Sequence, residues 1–218
     1  CSLFKEYNID TVCVEIADGP TFSWGGKYNS DYSQRDTLFT NLGVFEHFKP
    51  KINTNLKNPI LYLGNIQPSL QLDVIKKVEN PAIIAADSMN LWIDLFPKQV
   101  WELISKVNIF MLNDEEARQL TGETNLEKIS EKFLSLGPEI VIIKMGGKGS
   151  LLAFKDKKHY VSVVPNTEVY DPTGAGDSFA GGVIGYIAKY GLDNPIEAVV
   201  HGSAVASYTV SGFGLEQL

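Results

Sequence analysis

The chain has 218 residues, of which 44% are hydrophobic and 21% charged, so it can fold around a substantial core as one large domain. Its formal net charge of −7 argues against a nucleic-acid partner, which would need a basic face. Cys1 and Cys13 form no metal-like or disulfide framework, so we expect a reduced, cytoplasmic protein. No apolar run reaches the roughly 18 residues of a membrane span, so we expect no membrane partner.

The N-terminal part of the chain is predicted to form a small antiparallel β element outside the main sheet. Within residues 11–48, stretches rich in Val, Thr, Phe and Trp are separated by the turn signals Asp18-Gly19 and Gly25-Gly26. The stretches are 11–17, 21–29 and 36–48. Residues 1–10 look like the middle of an α/β unit and the chain does not start with Met, so we expect upstream residues to be missing from this sequence.

From residue 59 onward, short apolar runs alternate with amphipathic stretches. The runs predicted to be buried strands are 59–66, 81–87, 108–113 and 139–146. The stretches predicted to be helices are 69–78, 98–107, 114–122 and 125–137. Strands that alternate with helices form a parallel sheet covered on both faces, and such sheets bind ligands at the carboxyl ends of their strands.

Two helices rich in small residues are predicted in the last third of the chain. The first runs from Asp177 to the residue before Gly191, which is a good residue to follow a helix. The second starts at Pro195 with Asn194 as its N-cap. Their small residues would let two backbones, or a flat ligand, approach closely. These residues are Gly181, Gly182, Gly185, Gly202, Ala204 and Ala206.

The segment 171–177, Asp-Pro-Thr-Gly-Ala-Gly-Asp, precedes the first of these helices. Glycines on both sides of Ala175 allow consecutive N–H groups to point into one concavity, a nest that suits an anion. The helix adds about half a positive charge at its N-terminus. Asp177 either caps this helix or takes a proton from an alcohol while the nest holds the charge of a transferred phosphoryl group.

The stretch 171–182, DPTGAGDSFAGG, resembles the C-terminal signature of the ribokinase-like, or PfkB, family of carbohydrate and nucleoside kinases. This resemblance implies ATP-dependent transfer of the γ-phosphoryl group to a substrate hydroxyl. It implies that Asp177 is the catalytic base. The residues that match the anion hole of the family are Gly174, Ala175 and Gly176.

The resemblance runs from roughly residue 20 to the end and also implies the fold. That fold is a three-layer α/β/α arrangement with a mainly parallel sheet and a small β-sheet lid, here 11–48, within one partial kinase domain, 1–218. The substrate-binding Asp and the Gly-Gly element that precede the lid in the family do not appear in this sequence. Whether this chain is itself active is therefore open, as is its oligomeric state, although lids in the family can pair two subunits into a homodimer.

Two further motifs match the family in the same order. Asn113 and Glu116 resemble its Asn-x-x-Glu element, which organises Mg²⁺ and its waters; the alternative is that they cap and stabilise a helix. Lys144, Gly146 and Gly149 resemble the hairpin beside the nucleotide phosphates; the alternative is an ordinary tight hairpin. The pattern is neither a Walker A loop nor a Rossmann fingerprint.

The remaining candidate residues concern the nucleotide and the substrate. Thr173 belongs to the signature, and Ser203 lies on a small-residue helix that resembles the wall of the adenine pocket in the family. The substrate candidates lie at the rim of the site and in the lid, although aromatic residues in a small sheet more often serve packing. These candidates are Trp24, Arg35, Asp36, Asp87 and Asn90.

We therefore predict an ATP- and Mg²⁺-dependent kinase that acts on a hydroxyl of a small sugar or nucleoside. The alternative is a non-catalytic nucleotide-binding or regulatory protein on the same fold, which would bind ADP without phosphoryl transfer. A dinucleotide-dependent oxidoreductase is disfavoured, because the sequence has no glycine fingerprint followed about 20 residues later by an acidic residue. The sequence does not choose between sugars and nucleosides.

Overall fold

The computed structural model describes residues 2–28, 35–52 and 56–218, and the chain divides into two compact units. The first unit contains the residues up to Lys57 together with 73–79, and the second contains 58–72 and 80–218. No helix within the described residues is long and apolar enough to cross a membrane.

The first unit contains a small antiparallel sheet, as predicted. Its elements are α1 (Ser2–Glu6), β1 (Ser23–Tyr28) and β2 (Arg35–Asn41). Aromatic rings lie over both glycines of β1, since a Cβ built on Gly25 would lie 2.3 Å from Phe39 Cε1 and one built on Gly26 would lie 2.1 Å from Trp24 Cη2. The absence of a side chain at these two positions therefore makes room for the rings.

The β element is smaller than the three predicted stretches, because one stretch contains no strand and another is only partly a strand. Among the described residues, 11–17 form no strand, because local hydrogen bonds turn the chain instead: Val12 N–H donates to Asp10 Oδ1 at 2.9 Å, and Val14 N–H donates to the Thr11 carbonyl. The end of the stretch 36–48 forms a 3-10 turn, Gly43–His47, after β2 has ended.

The second unit is built on a six-stranded sheet in the order β3-β4-β5-β6-β7-β8. Its parallel strands are β3 (Ile60–Leu63), β4 (Ile83–Asp87), β5 (Ile109–Asn113) and β6 (Ile140–Lys144). Its antiparallel strands are β7 (Ser150–Phe154) and β8 (Lys157–Val161). All four strands predicted from apolar runs are confirmed, and the sheet is mainly parallel as expected.

The helices between the strands follow the predicted alternation, with the addition of α3. They are α2 (Pro68–Lys77), α3 (Asn90–Leu95), α4 (Pro97–Ile104), α5 (Asp114–Thr121) and α6 (Leu126–Leu134). The two C-terminal helices are α7 (Ala175–Tyr190) and α8 (Pro195–Val210). Pro195 occupies the first turn of α8 with Asn194 at the N-cap position, as predicted.

Alternate residues of the strands face opposite sides of the sheet, which produces three layers. On one side, Ile109 and Met111 belong to a buried cluster with Phe179 and Val183 of α7. On the other side, Phe110 meets Phe133 of α6 edge to face, with ring centroids 5.6 Å apart. The three-layer α/β/α fold is therefore confirmed.

Helices α7 and α8 approach each other through glycine, as their small residues predict. A Cβ built on Gly202 would lie 2.7 Å from the Phe179 carbonyl oxygen, and one built on Gly182 would lie 2.9 Å from the Gly202 Cα. Any larger residue at either position would push the two helices apart. Gly181 has no described atom within 4 Å of such a Cβ, so it has no part in the crossing.

Candidate active site

Polar residues end three neighbouring parallel strands. Asp87 ends β4, Asn113 ends β5 and Lys144 ends β6, and Asn113 is the direct register partner of Lys144. Carboxyl ends of parallel strands meet at one edge of a sheet, which is where open α/β sheets bind ligands. The fold thus gathers three residues that are far apart in the chain.

Asp87 and Lys144 form an ion pair across β5. Lys144 Nζ donates to Asp87 Oδ2 at 2.8 Å, and only 18% and 8% of the two side chains are exposed. The other carboxylate oxygen, Oδ1, accepts the Ser88 N–H at 2.8 Å. Both oxygens of Asp87 therefore have partners within the protein.

The ammonium group of Lys144 stays charged. Burial lowers the pKa of Lys144, but the charge and the hydrogen bond of Asp87 oppose that effect, and the charges of Glu116 and Asp177 add to them. The net result is a pKa above the ordinary value for lysine. This edge of the sheet therefore holds a charged lysine that is paired with a carboxylate.

The glycine-rich segment before α7 forms the turn that starts this helix. Gly174 is the N-cap, with a left-handed backbone at φ 80°, and Ser178 N–H donates to its carbonyl at 2.9 Å. The helix therefore begins at Ala175, and the predicted start at Asp177 is wrong by two residues. Because Gly174 is the cap residue, Asp177 is not, and the capping alternative for this aspartate is excluded.

Lys144 lies directly beside the glycine-rich turn. A Cβ built on Gly176 would lie 3.4 Å from Lys144 Nζ. Asp177, in the first turn of α7, has an exposed side chain, yet the surrounding protein removes part of its hydration and thereby raises the pKa of its carboxyl. The charge of Asp87 raises that pKa further and Lys144 lowers it. Residues from three distant segments are thus brought together.

Asn113 and Glu116 form a capping box at the start of α5. Asn113 Oδ1 accepts the Glu116 N–H and Glu116 Oε2 accepts the Asn113 N–H, both at 2.8 Å. Among the described residues, no three His, Cys, Asp or Glu side chains are grouped so that they could hold a metal ion. The structure therefore shows the capping role that was the alternative for this pair, and a role toward Mg²⁺ and its waters stays a prediction.

The motif after β6 is a tight hairpin. A 3-10 turn at Gly146–Lys148 joins β6 to β7, and Met145 N–H donates to the Gly149 carbonyl at 2.8 Å. Gly146 and Gly149 have φ values of 56° and 89°, and a Cβ on Gly149 would lie 2.1 Å from the Val161 carbonyl oxygen. Both glycines are therefore explained by the turn itself, and contact with a nucleotide stays a prediction.

Comparison with known proteins identifies the family. Residues 2–217 match the profile of the pfkB family carbohydrate kinases. The chain belongs to this family. A nucleoside kinase of Methanocaldococcus jannaschii is 26% identical over 86% of this chain, and a ribokinase of Staphylococcus aureus is 24% identical over 98%. The chain spans 60% of the length of the first relative and 71% of the second.

Solved structures of a ribokinase and of a nucleoside kinase share the fold. The ribokinase of Thermotoga maritima is 28% identical with a TM-score of 0.71, over 91% of this chain and 66% of that one. The M. jannaschii nucleoside kinase has a TM-score of 0.77 at 22% identity, over 100% of this chain and 71% of that one. The ribokinase-like fold expected from the signature is confirmed.

Other residues that the pfkB resemblance suggested remain predictions. Thr173 is exposed and its N–H donates to Asp171 Oδ1 at 2.9 Å, while Ser203 is half-buried on α8 next to Gly202. Asn90, at the start of α3, is exposed, and its carbonyl accepts from Gln119 Nε2 at 3.3 Å.

The substrate candidates of the predicted lid lie in the other compact unit. Trp24 Nε1 donates to Thr37 Oγ1 at 3.3 Å across the β1–β2 pair, which agrees with a packing role. Asp36 is exposed, and the side chain of Arg35 lies outside the described residues. Substrate contact by these residues, closure of the lid and a homodimer formed through it all stay predictions.

Two residues near the candidate site are not among those that the sequence predicts. The hydroxyl of Tyr62 on β3 is enclosed without a hydrogen-bond partner among the described residues. Burial and the charges of Asp87 and Asp177 raise the pKa of Tyr62 well above its ordinary value, so the phenol stays neutral. Gln71 is buried on α2 against the ends of two strands. For Gln71 the available signal is a polar residue between the apolar Leu70 and Leu72.

Proposed function

We propose that the protein to which this chain belongs transfers the γ-phosphoryl group of ATP to a hydroxyl of a sugar or nucleoside. Membership of the pfkB family and similarity to proteins named nucleoside kinase, ribokinase and cytidine kinase support this class of reaction. The observation that carries the proposal is the position of Asp177, which is exposed in the first turn of α7 next to the glycine turn and is not needed as a cap.

In this proposal Asp177 accepts the proton of the acceptor hydroxyl. The oxygen then forms a bond to the γ-phosphorus, and the bond from that phosphorus to the leaving ADP oxygen breaks. The turn at Gly174, Ala175 and Gly176 and the N-terminus of α7 hold the negative charge, and Lys144 contributes a fixed positive charge. Phosphoryl transfer requires mainly such positioning and electrostatic stabilisation.

Mg²⁺ would neutralise charge on the ATP phosphates in this reaction. We propose that Asn113 and Glu116 contact water molecules bound to the ion. Each of the two side chains accepts the backbone N–H of the other residue, so both are held in a fixed orientation. Glu116 also lies near enough to Lys144 for its negative charge to raise the pKa of that lysine.

The test is the Asp177→Asn variant of the full-length protein, assayed for ADP release with a panel of sugars and nucleosides. We expect turnover to fall by at least about 10²-fold, the lower end for loss of a general base, with ATP binding retained. The matched control is Asp156→Asn, in the exposed turn between β7 and β8, which should retain wild-type turnover. Turnover of Asp177→Asn within a few-fold of wild type would contradict its role as the base. If the wild type binds ATP but releases no ADP with any acceptor, the non-catalytic alternative is favoured.

A further inference from the structure

Gln71 joins the ends of two parallel strands next to the candidate site. The residue is 1% exposed, and its Nε2 lies 3.1 Å from the Leu63 carbonyl oxygen, 2.9 Å from that of Gly64 and 2.9 Å from that of Asp87. The amide has two N–H groups for three carbonyls, so at least one bond is shared. A single side chain of α2 thus links the ends of β3 and β4.

The carbonyl groups at the ends of β3 and β4 need a hydrogen-bond donor from outside the β3–β4 pair. The β3–β4 register ends with Leu63 opposite Ala86, so the carbonyls of Gly64 and Asp87 lie beyond the last β3–β4 pair, although Asp87 is still paired with Met111 of β5. Buried carbonyls without a donor are costly, and Gln71 supplies the donor that the β3–β4 pair no longer provides. On the side of β3, the backbone at Asp87 is therefore held by a residue outside the sheet.

The position of Asp87 in turn determines that of Lys144. Asp87 is held by its carbonyl through Gln71, by Oδ1 through the Ser88 N–H, and by Oδ2 through Lys144 Nζ. Lys144 Nζ lies beside Gly176, the residue before Asp177. A continuous series of contacts therefore runs from α2 through β4 and β6 to the glycine turn of α7.

We propose that Gln71 is a positioning residue of the phosphoryl-transfer site, which fixes Asp87 so that its carboxylate holds Lys144 against Gly176. The effect on turnover rests on the kinase activity proposed above, whereas the effect on Lys144 does not. Gln71 touches none of the reacting groups, so it acts only through Asp87. In enzymes generally, a misplacement of about 1 Å at the active site can reduce turnover by about 10²-fold.

The test uses Gln71→Met in the full-length protein, since methionine preserves the length of the side chain and removes both donors. The matched control is Gln99→Met, which replaces a half-buried glutamine on α4 whose Oε1 is enclosed without a partner among the described residues. If Gln71→Met does not fold, Gln71→Asn is used instead; it retains the amide but withdraws it by one methylene from the three carbonyls.

The first measurement is the rate at which reductive methylation modifies Lys144, read by peptide mass spectrometry against the exposed Lys148. We expect slow modification of Lys144 in the wild type and in Gln99→Met, and a several-fold faster rate in Gln71→Met. An unchanged rate in Gln71→Met, or the same increase in both variants, would overturn the proposal. This measurement is independent of catalysis, so it decides the placement of Lys144 even if the wild type has no kinase activity.

The second measurement separates positioning from loss of folded protein. We expect kcat of Gln71→Met to fall by up to about 10²-fold while KM for ATP changes little, after correction for the folded fraction seen by circular dichroism. We also expect the effects of Gln71→Met and Lys144→Met on kcat to be less than additive, because both act through one interaction. Fully additive effects, or a kcat that simply follows the folded fraction, would contradict the proposed role.

Discussion

Asp177 is held in conditions that make its carboxylate more basic than an ordinary aspartate. Reduced hydration and the charge of Asp87 both favour the protonated form, and the nearby Lys144 only partly opposes them. A carboxylate with a raised pKa binds a proton more strongly once it is ionised, as long as that pKa stays below the working pH. The same surroundings that disfavour the charge of Asp177 would therefore assist the proposed reaction.

This raised pKa gives an expected pH dependence. Asp177 must be ionised to accept a proton, so kcat should fall as the pH drops through its raised pKa, above the ordinary aspartate value of about 3.9. Bound ATP, which is also negatively charged, moves the pKa in the same direction. The measurement is kcat against pH at saturating ATP and acceptor. An acid limb at or below the ordinary aspartate value would show that Asp177 is not the group that titrates.

At the scale of elements, the crossing of α7 and α8 helps to position the helix that carries Asp177. The contact depends on Gly202, because a Cβ there would also lie 2.6 Å from Val183 Cγ2. The crossing lies in the same buried cluster that attaches α7 to the sheet. Packing at this point therefore affects the site as well as the core.

We expect Gly202→Ala to lower the free energy of unfolding by about 1–3 kcal/mol, the usual cost of overpacking a buried contact. The matched control is Gly181→Ala on α7, where a Cβ meets no described atom within 4 Å and alanine should stabilise the helix by about 0.5–1 kcal/mol. Urea unfolding of both variants measures the difference. Equal effects of the two substitutions would show that the crossing does not depend on Gly202.

The elements that the sequence predicts correctly are those with a strong local pattern. The strands β3 to β6 are continuous apolar runs, and burial on both faces of a sheet requires that pattern. Residues 11–17 are also rich in β-forming residues, yet a strand needs a partner for its hydrogen bonds, and here Asp10 turns the chain instead. Helix α7 starts two residues before the predicted position, because its cap is a left-handed glycine and not the polar side chain that usually marks a helix start.

At the scale of the whole molecule, motifs indicate which segments contribute to the site but not which side chains meet. The glycine turn, Lys144 and Asp87 were each singled out from the sequence, and the fold brings them together. Their pairing was not predicted, because Asp87 and Lys144 are 57 positions apart and are separated in the sheet by β5. Gln71 was missed for the same reason, since its role depends on three carbonyls that only the folded chain assembles.

The proposed function also predicts how ligands affect the stability of the whole protein. A ligand that binds only the folded state at 100 times its Kd stabilises that state by about 2.7 kcal/mol, so ATP with Mg²⁺ should raise the Tm by several degrees. NAD at the same concentration should leave the Tm unchanged, because the chain has no dinucleotide fingerprint. Asp177→Asn should show the same rise with ATP, since the aspartate is proposed to act on the acceptor hydroxyl and not to hold the nucleotide. A rise with NAD and none with ATP, measured by scanning fluorimetry on the full-length protein, would overturn the assignment as a kinase.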